Sequence, residues 1–191
     1  HDFLDDFVLV YLDNILVYST SPLEHVAYLR KVLSRLHTEN LCLKPSKCVF
    51  GARELTFLGH VISGEGIRPD SSKVSTIQSW LLPSNLNEIH SFLGFVNYYH
   101  RLISNFARIA APLVQLTSTT SSSCGIMNEI AAKSSHDFKA ALVSAPTLIF
   151  PDLGPHSKFV LSTDASDFVI GYVLQQDQGR SLQPVAYGAC S

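Results

Sequence analysis

The stretch from Phe7 to Tyr18, FVLVYLDNILVY, sets two arms of aliphatic, β-branched and aromatic residues around a single polar pair, Asp13-Asn14. Arms of this kind suit the pleated, half-buried surface of a sheet. A two-residue polar insert between them is the usual form of a tight hairpin, because Asp and Asn tolerate the backbone conformations of its turn. The pair Asp13-Asn14 is therefore expected at or beside a hairpin tip, where a plain turn is the simplest account of it. What else the carboxylate does depends on its surroundings.

Downstream, the segment TSPLEHVAYLRKVLSRLHTEN (20–40) places Ser21 and Glu24 at capping-box spacing, with Pro22 at the first helical position. Val26, Leu29, Val32, Leu33 and Leu36 recur at three- and four-residue steps, so a helix with one apolar stripe is expected, and Arg30, Lys31 and Arg35 on its solvated face. Residues 41–69, LCLKPSKCVFGARELTFLGHVISGEGIRP, change character. Short β-prone runs at Lys47–Phe50, Leu55–Leu58 and His60–Ile62 are punctuated by Gly51, Gly59, Gly64 and Gly66, which predicts short strands and hairpins.

Two helices are expected next. In DSSKVSTIQSWLL, Val74, Ile77 and Leu81 share a helical side and Pro83 ends it. Asn85 and Glu88 then cap a helix whose stripe is Leu86, Ile89, Phe92, Leu93 and Val96, reaching to about Ile103. The tract TSTTSSS (117–123) is too polar for a core and reads as a linker near a domain boundary. Beyond it come a short amphipathic helix, SSHDFKAALVSA, and strands at Phe159–Leu161, Val169–Leu174 and Pro184–Tyr187, with a turn at Gln178-Gly179.

The bulk properties are those of a folded chain. Of 191 residues, 46% are hydrophobic and 16% charged, which is enough apolar surface to build a core. The net charge of −2 carries no global positive field, so a nucleic-acid partner has to be argued from local clusters. Such clusters are Lys44, Lys47 and Arg53, and the aromatic and basic run Asn97, Tyr98, Tyr99, His100, Arg101. No apolar run is long enough to cross a membrane as a helix, and no secretory leader opens the chain. Cys42, Cys48, Cys124 and Cys190 lack zinc-finger spacing and read as reduced thiols. An opening His1 and a single Met127 are expected of a piece of something longer.

The blocks YLDNILVYS, LKPSKCVF, FLGHVISGEGIRPD, FLGFVNYYHRLISNFARIAAPL, APTLIFPD and FVLSTDASDFVIGYVLQQ, in this order, closely resemble the reverse transcriptase and RNase H region of gypsy-type long-terminal-repeat retrotransposons. The resemblance implies an α+β architecture: the rear part of a polymerase palm over 1–65, thumb-like helices over 66–116, a connection over 117–156, and the first strands of an RNase H-like domain over 157–191. It implies two-metal nucleotidyl transfer and RNA strand hydrolysis in the whole family, with Mg²⁺ as cofactor and a primer-template duplex and deoxynucleoside triphosphates as partners. An intracellular setting follows: cytoplasm, retroelement particle or nucleus.

Residue by residue, Asp13 matches the first Asp of the family's Tyr-x-Asp-Asp and becomes a metal ligand. Asn14 replaces the second Asp and withholds a unit of charge. Asp164, in LSTDAS, matches the first metal-binding Asp of RNase H. Phe57, Leu58, Gly59 and His60 match the hairpin that holds the primer end, and Tyr99 and Arg101 fall in the thumb helix as backbone contacts. The genuine pair Asp5-Asp6 precedes the strand and is expected in a solvated approach to it. Because both metal sites lack carboxylates within 1–191, the chain by itself is expected to be inactive; a non-catalytic nucleic-acid-binding or interaction remnant of a decayed retroelement is the alternative. Marginal folding is expected too, since a partial palm and an RNase H sheet of only three strands both leave sheet edges unpaired, and only the thumb-like helical part is expected to be self-sufficient.

Overall fold

A computed structural model describes residues 3–118, 124–165, 170–179 and 181–190. The chain divides into two compact units, His1–Phe57 and Leu58–Ser191.

In the first unit, β1 (Val8–Tyr11) and β2 (Asn14–Val17) pair antiparallel with Tyr11 opposite Asn14, so the connecting turn is Leu12-Asp13. Asp13 thus lies in the hairpin turn, as expected, while Asn14 beside it opens β2 and Leu12 takes the left-handed backbone with φ of +53°. A bulky residue there costs about 1–3 kcal/mol. Helix α1 (Pro22–Thr38) starts as expected, with the Ser21 hydroxyl accepting the Glu24 N–H.

Phe7, Val8 and Val32 are the buried residues of this unit's small core, with Tyr28 stacked on Phe7 at 3.9 Å between ring centroids. Much of the expected α1 stripe stays open: Val26 is 53% exposed and Leu33 41%. The strand expected at 47–50 is absent; Pro45–Lys47 form a 3₁₀ turn, and Val49 and Phe50 are exposed. Pro45 fixes φ and favours that turn. β3 (Glu54–Phe57) closes the unit.

The second unit opens with the antiparallel hairpin of β4 (His60–Ser63) and β5 (Gly66–Pro69). Its β5 edge bridges to Leu148, with Ile67 and Leu148 exchanging backbone hydrogen bonds of 2.8 and 2.9 Å. Gly66 permits this approach: at φ +134°, a Cβ would lie 2.0 Å from the Leu148 carbonyl oxygen. Helices α2 (Ser71–Ser79), α3 (Leu86–Tyr98), α4 (Phe106–Ser118) and α5 (Cys124–Val143) follow. Their common core holds Ile77, Ile89, Phe92, Val96, Leu113, Phe138 and Leu142, each at most 2% exposed.

Several helix ends differ from the sequence expectation. α2 stops at Ser79 because Trp80 turns to extended backbone and sets its ring against Phe92 and Phe95, while the Lys139 ammonium donates to the Gln78 and Trp80 carbonyls. Leu81 is consequently outside the helix and 85% exposed. α3 stops at Tyr98, and a 3₁₀ turn, His100–Leu102, carries the chain to buried Ile103. The Ser/Thr tract lies mostly outside the described residues; Thr117 and Ser118 end α4, and α4 and α5 pack together within one unit. α5 is longer than the helix expected there.

The unit ends in an antiparallel sheet of order β6-β7-β8: β6 (Phe159–Ala165), β7 (Ile170–Asp177) and β8 (Leu182–Cys190). Buried Gln176 ties β7 to the preceding loop, accepting the Asp152 N–H and donating to the Asp152 carbonyl, both at 2.8 Å. The architecture is α+β, as expected. Among the described residues, no helix is long and apolar enough to cross a membrane. Gly66→Ala is expected to lower the stability of the second unit by about 1–3 kcal/mol through overpacking against Leu148, measured as an earlier urea midpoint at unchanged slope.

Candidate nucleic-acid interface

The hairpin turn exposes Asp13 to solvent, and the Asn14 side-chain amide donates to its carboxylate at 3.2 Å. Leu12 beside it is 85% exposed. Asp5 and Asp6 occupy the turn before β1, where the Asp5 N–H donates to the Val8 carbonyl, so they stand apart from the hairpin tip. In the second unit, Asp164 lies near the end of β6, exposed, opposite Gly171. Among the described residues, no three His, Cys, Asp or Glu side chains gather closely enough to hold a metal ion. Asp13 with a neutral amide, and Asp164 alone, therefore do not make up the charge of a two-metal centre.

The FLGH segment has a more closely defined geometry. Phe57 ends β3 and His60 begins β4, with Leu58 and Gly59 between them at φ of +50° and +71°. Left-handed backbone comes easily to glycine and not to leucine, so the Leu58 conformation needs outside support. Within the second unit, helix α3 gives it. The Tyr98 hydroxyl donates to the Leu58 carbonyl, and the Tyr99 hydroxyl donates to the Gly59 carbonyl at 3.0 Å. The Asp70 N–H also donates to the Gly59 carbonyl, at 3.2 Å.

His60 completes the arrangement. Its Nδ1 lies 3.0 Å from the Leu58 carbonyl, which can only accept, so Nδ1 carries the proton and Nε2 is the acceptor of the neutral ring. The imidazole packs against Tyr98 and Tyr99 at 5.2 and 5.3 Å between centroids. A pocket of about 270 Å³ opens here, lined by Leu58, Gly59, Lys73, Phe95, Tyr98 and Tyr99. A larger groove of about 720 Å³ lies elsewhere, beside Asp152, His156 and Lys158.

The two tyrosines differ in environment. Tyr99 is 2% exposed, which places it in the core and removes it from direct contact with a ligand, whereas Tyr98 is 53% exposed. Arg101, on the 3₁₀ turn after α3, is exposed, as is Lys73 on α2. The sequence reading put Tyr99 in the site and passed over Lys73. The buried run Ile89, Phe92, Val96 continues by a three-residue step to Tyr99, and that periodicity is the signal for its core position.

Comparison with known proteins gives this arrangement its setting. Residues 1–62 match the reverse transcriptase (RNA-dependent DNA polymerase) family, and residues 127–190 match the RNase H-like domain found in reverse transcriptase. The second match takes in most of α5 as well as the three-stranded sheet. The chain thus joins a segment of the reverse transcriptase family to an RNase H-like segment of the kind found in reverse transcriptase. More particularly, the chain belongs to the retrotransposon Pol polyproteins of gypsy type.

It is 39% identical to the Retrovirus-related Pol polyprotein from transposon 297 of Drosophila melanogaster, over 91% of this chain and 16% of that polyprotein. It is 33% identical to the Transposon Tf2-7 polyprotein of Schizosaccharomyces pombe, over 96% of this chain and 14% of that one. The chain therefore spans under a fifth of the length of these relatives. Among solved structures, the foamy viral protease-reverse transcriptase in complex with double-stranded DNA is similar at a TM-score of 0.81 and 27% identity, covering 98% of this chain and 33% of that one. The same enzyme with an RNA/DNA hybrid is similar at 0.77 and 26% identity, over 96% and 24%. Families of both matched kinds generally use divalent metals.

Burial, reinforced by neighbouring Tyr98 and Asp70, pushes the Tyr99 hydroxyl pKa up from 10 to about 12. The neutral phenol is thus favoured in the folded state. Its contribution is fully present below pH 10 and is lost as pH rises through about 12, because the unfolded chain ionises first. Across that interval Tyr99 is expected to remove about 2–3 kcal/mol of stability. Tyr99→Phe is expected to flatten this part of the profile in urea unfolding measured between pH 9 and pH 12.

Proposed function

We propose that this chain serves a retrotransposon RNA-directed DNA polymerase by holding a primer-template duplex, through the Leu58-Gly59 turn and the α3 end that supports it. The observation that carries this reading is the fixed turn flanked by exposed Tyr98 and Lys73, with exposed Arg101 on the 3₁₀ turn that follows α3, on a chain whose net charge is −2. Aromatic and cationic side chains and backbone N–H groups are the means by which proteins hold a sugar-phosphate backbone. Polymerisation from deoxynucleoside triphosphates and hydrolysis of the RNA strand belong, in this proposal, to the whole polyprotein.

Within that activity Asp13 and Asp164 each offer one exposed carboxylate to a magnesium ion, and neither completes a coordination shell. Asn14 lowers the charge available beside Asp13. Asn14→Asp is expected to raise affinity for divalent cations at the hairpin, read as stronger Mn²⁺-induced broadening of the Asp13 and Asn14 backbone signals by NMR. Broadening equal to that of the unaltered chain would remove this hairpin from the metal-binding reading.

Duplex binding is tested by fluorescence anisotropy with a labelled RNA/DNA duplex. Affinity is expected to fall steeply with salt, and Arg101→Ala to lower the slope of log affinity against log salt by about 1, the loss of one phosphate contact. A chain that binds no duplex at low salt would refute the proposal.

A further inference from the structure

The β4–β5 hairpin is gripped at both ends. At one end α3 holds the Leu58-Gly59 turn. At the other, residues 148–152 run from the hairpin to the three-stranded sheet. The hairpin and that sheet share no strand pairing, yet two adjacent residues carry backbone hydrogen bonds from one to the other. Leu148 exchanges bonds with Ile67 of β5, and the N–H of Ile149 donates to the Pro184 carbonyl of β8 at 2.9 Å. The β5 end of this link is tight, because Gly66 lets the backbones approach so closely that a Cβ there would meet the Leu148 carbonyl.

Past Ile149, little apolar burial holds the segment: Phe150 is 45% exposed and Leu153 80%. Side-chain amides hold it instead. Gln176 of β7, which is 1% exposed, accepts the Asp152 N–H and donates to the Asp152 carbonyl. Gln178 donates to the Phe150 carbonyl at 2.8 Å and to Gln176 Oε1 at 2.9 Å. A primary amide carries both a donor and an acceptor, so Gln176 can meet the N–H and C=O of one residue as a neighbouring strand would. Out of water, such paired hydrogen bonds are costly to break.

We propose that residues 148–152 are a strap coupling the β4–β5 hairpin to the three-stranded sheet, with Gln176 as the positioning residue that latches it, so that release at the sheet loosens the β5 edge. The coupling runs both ways, since both ends draw on one equilibrium between docked and undocked strap, and strain at the β5 edge therefore loosens the latch. It stands apart from duplex binding and requires no ligand.

The test is native-state amide hydrogen exchange of the whole chain, followed by NMR, which resolves local opening from global unfolding. Gln176→Met keeps the length and stem of the side chain and removes its amide. Exchange at Ile67, whose own acceptor Leu148 is untouched, is expected to rise about five- to twentyfold relative to Phe92 and Val96 inside α3. Gly66→Ala, acting from the other end, is expected to speed exchange at Asp152 relative to the same helix amides. An unchanged Ile67 in Gln176→Met would show that the hairpin does not feel the latch and would overturn the coupling. A rise shared in full by Phe92 and Val96 would overturn it as well, since Gln176 would then act on the stability of the whole unit. If Gly66→Ala does not fold, the Gln176→Met comparison decides alone.

Discussion

Phe92 is the residue on which the second unit turns. It is fully buried, meets Trp80 edge-on at 6.1 Å and Phe138 at 6.0 Å between ring centroids, and so seats α3 against both the end of α2 and α5. Aromatic contacts of this geometry add direction to the apolar burial that drives packing. Because α3 is seated, the azimuth of its last turn is set, and Tyr98 and Tyr99 can reach two successive carbonyls of a loop forty residues earlier. The strained Leu58 conformation is thus maintained at the far end of a chain of contacts that begins in the aromatic core. Lys139 serves the same packing from the other side, satisfying carbonyls left open where α2 stops.

The first unit works under a different constraint. Among its described residues the buried apolar side chains are Phe7, Val8, Leu16 and Val32, while Leu9, Tyr11, Leu12 and Leu23 all stand in solvent. Burial on this scale does little to offset the entropy of ordering some fifty residues. Asp13 is accordingly carried on a short hairpin whose turn holds an exposed leucine in the left-handed region. Strain at such a turn is characteristic of functional sites, and here it adjoins the carboxylate that the family resemblance singles out.

How far the sequence revealed this depended on whether the deciding signal was local. Helix starts were legible at Ser21 and Asn85 because capping is a matter of three residues. Helix ends were less so: α2 stops where Trp80 finds Phe92, Phe95 and the carbonyl acceptors of Lys139, all distant in sequence. The hairpin was legible as a hairpin, but its register was not, since composition favours Asp-Asn over Leu-Asp at a turn and the pairing of Tyr11 with Asn14 decided otherwise. The turn at Gly59 was legible from the β-prone runs on either side of it, and only its role came from the resemblance. That its neighbours Tyr98 and Tyr99 serve it through hydroxyls required the fold, although the spacing of Ile89, Phe92, Val96 and Tyr99 already marked which ring goes inward.

The bridge between Ile67 and Leu148 has a bearing on the order of events during synthesis. The β4–β5 hairpin and the FLGH turn leave the ribosome early, yet the outer edge of β5 finds its partner only when the residues after α5 have emerged. Contacts this remote in sequence are made late, after the intervening loop has been closed. The nascent chain thus passes through an interval in which the hairpin has an open edge and the helices are still incomplete, and during it that edge is open to mispairing with another copy.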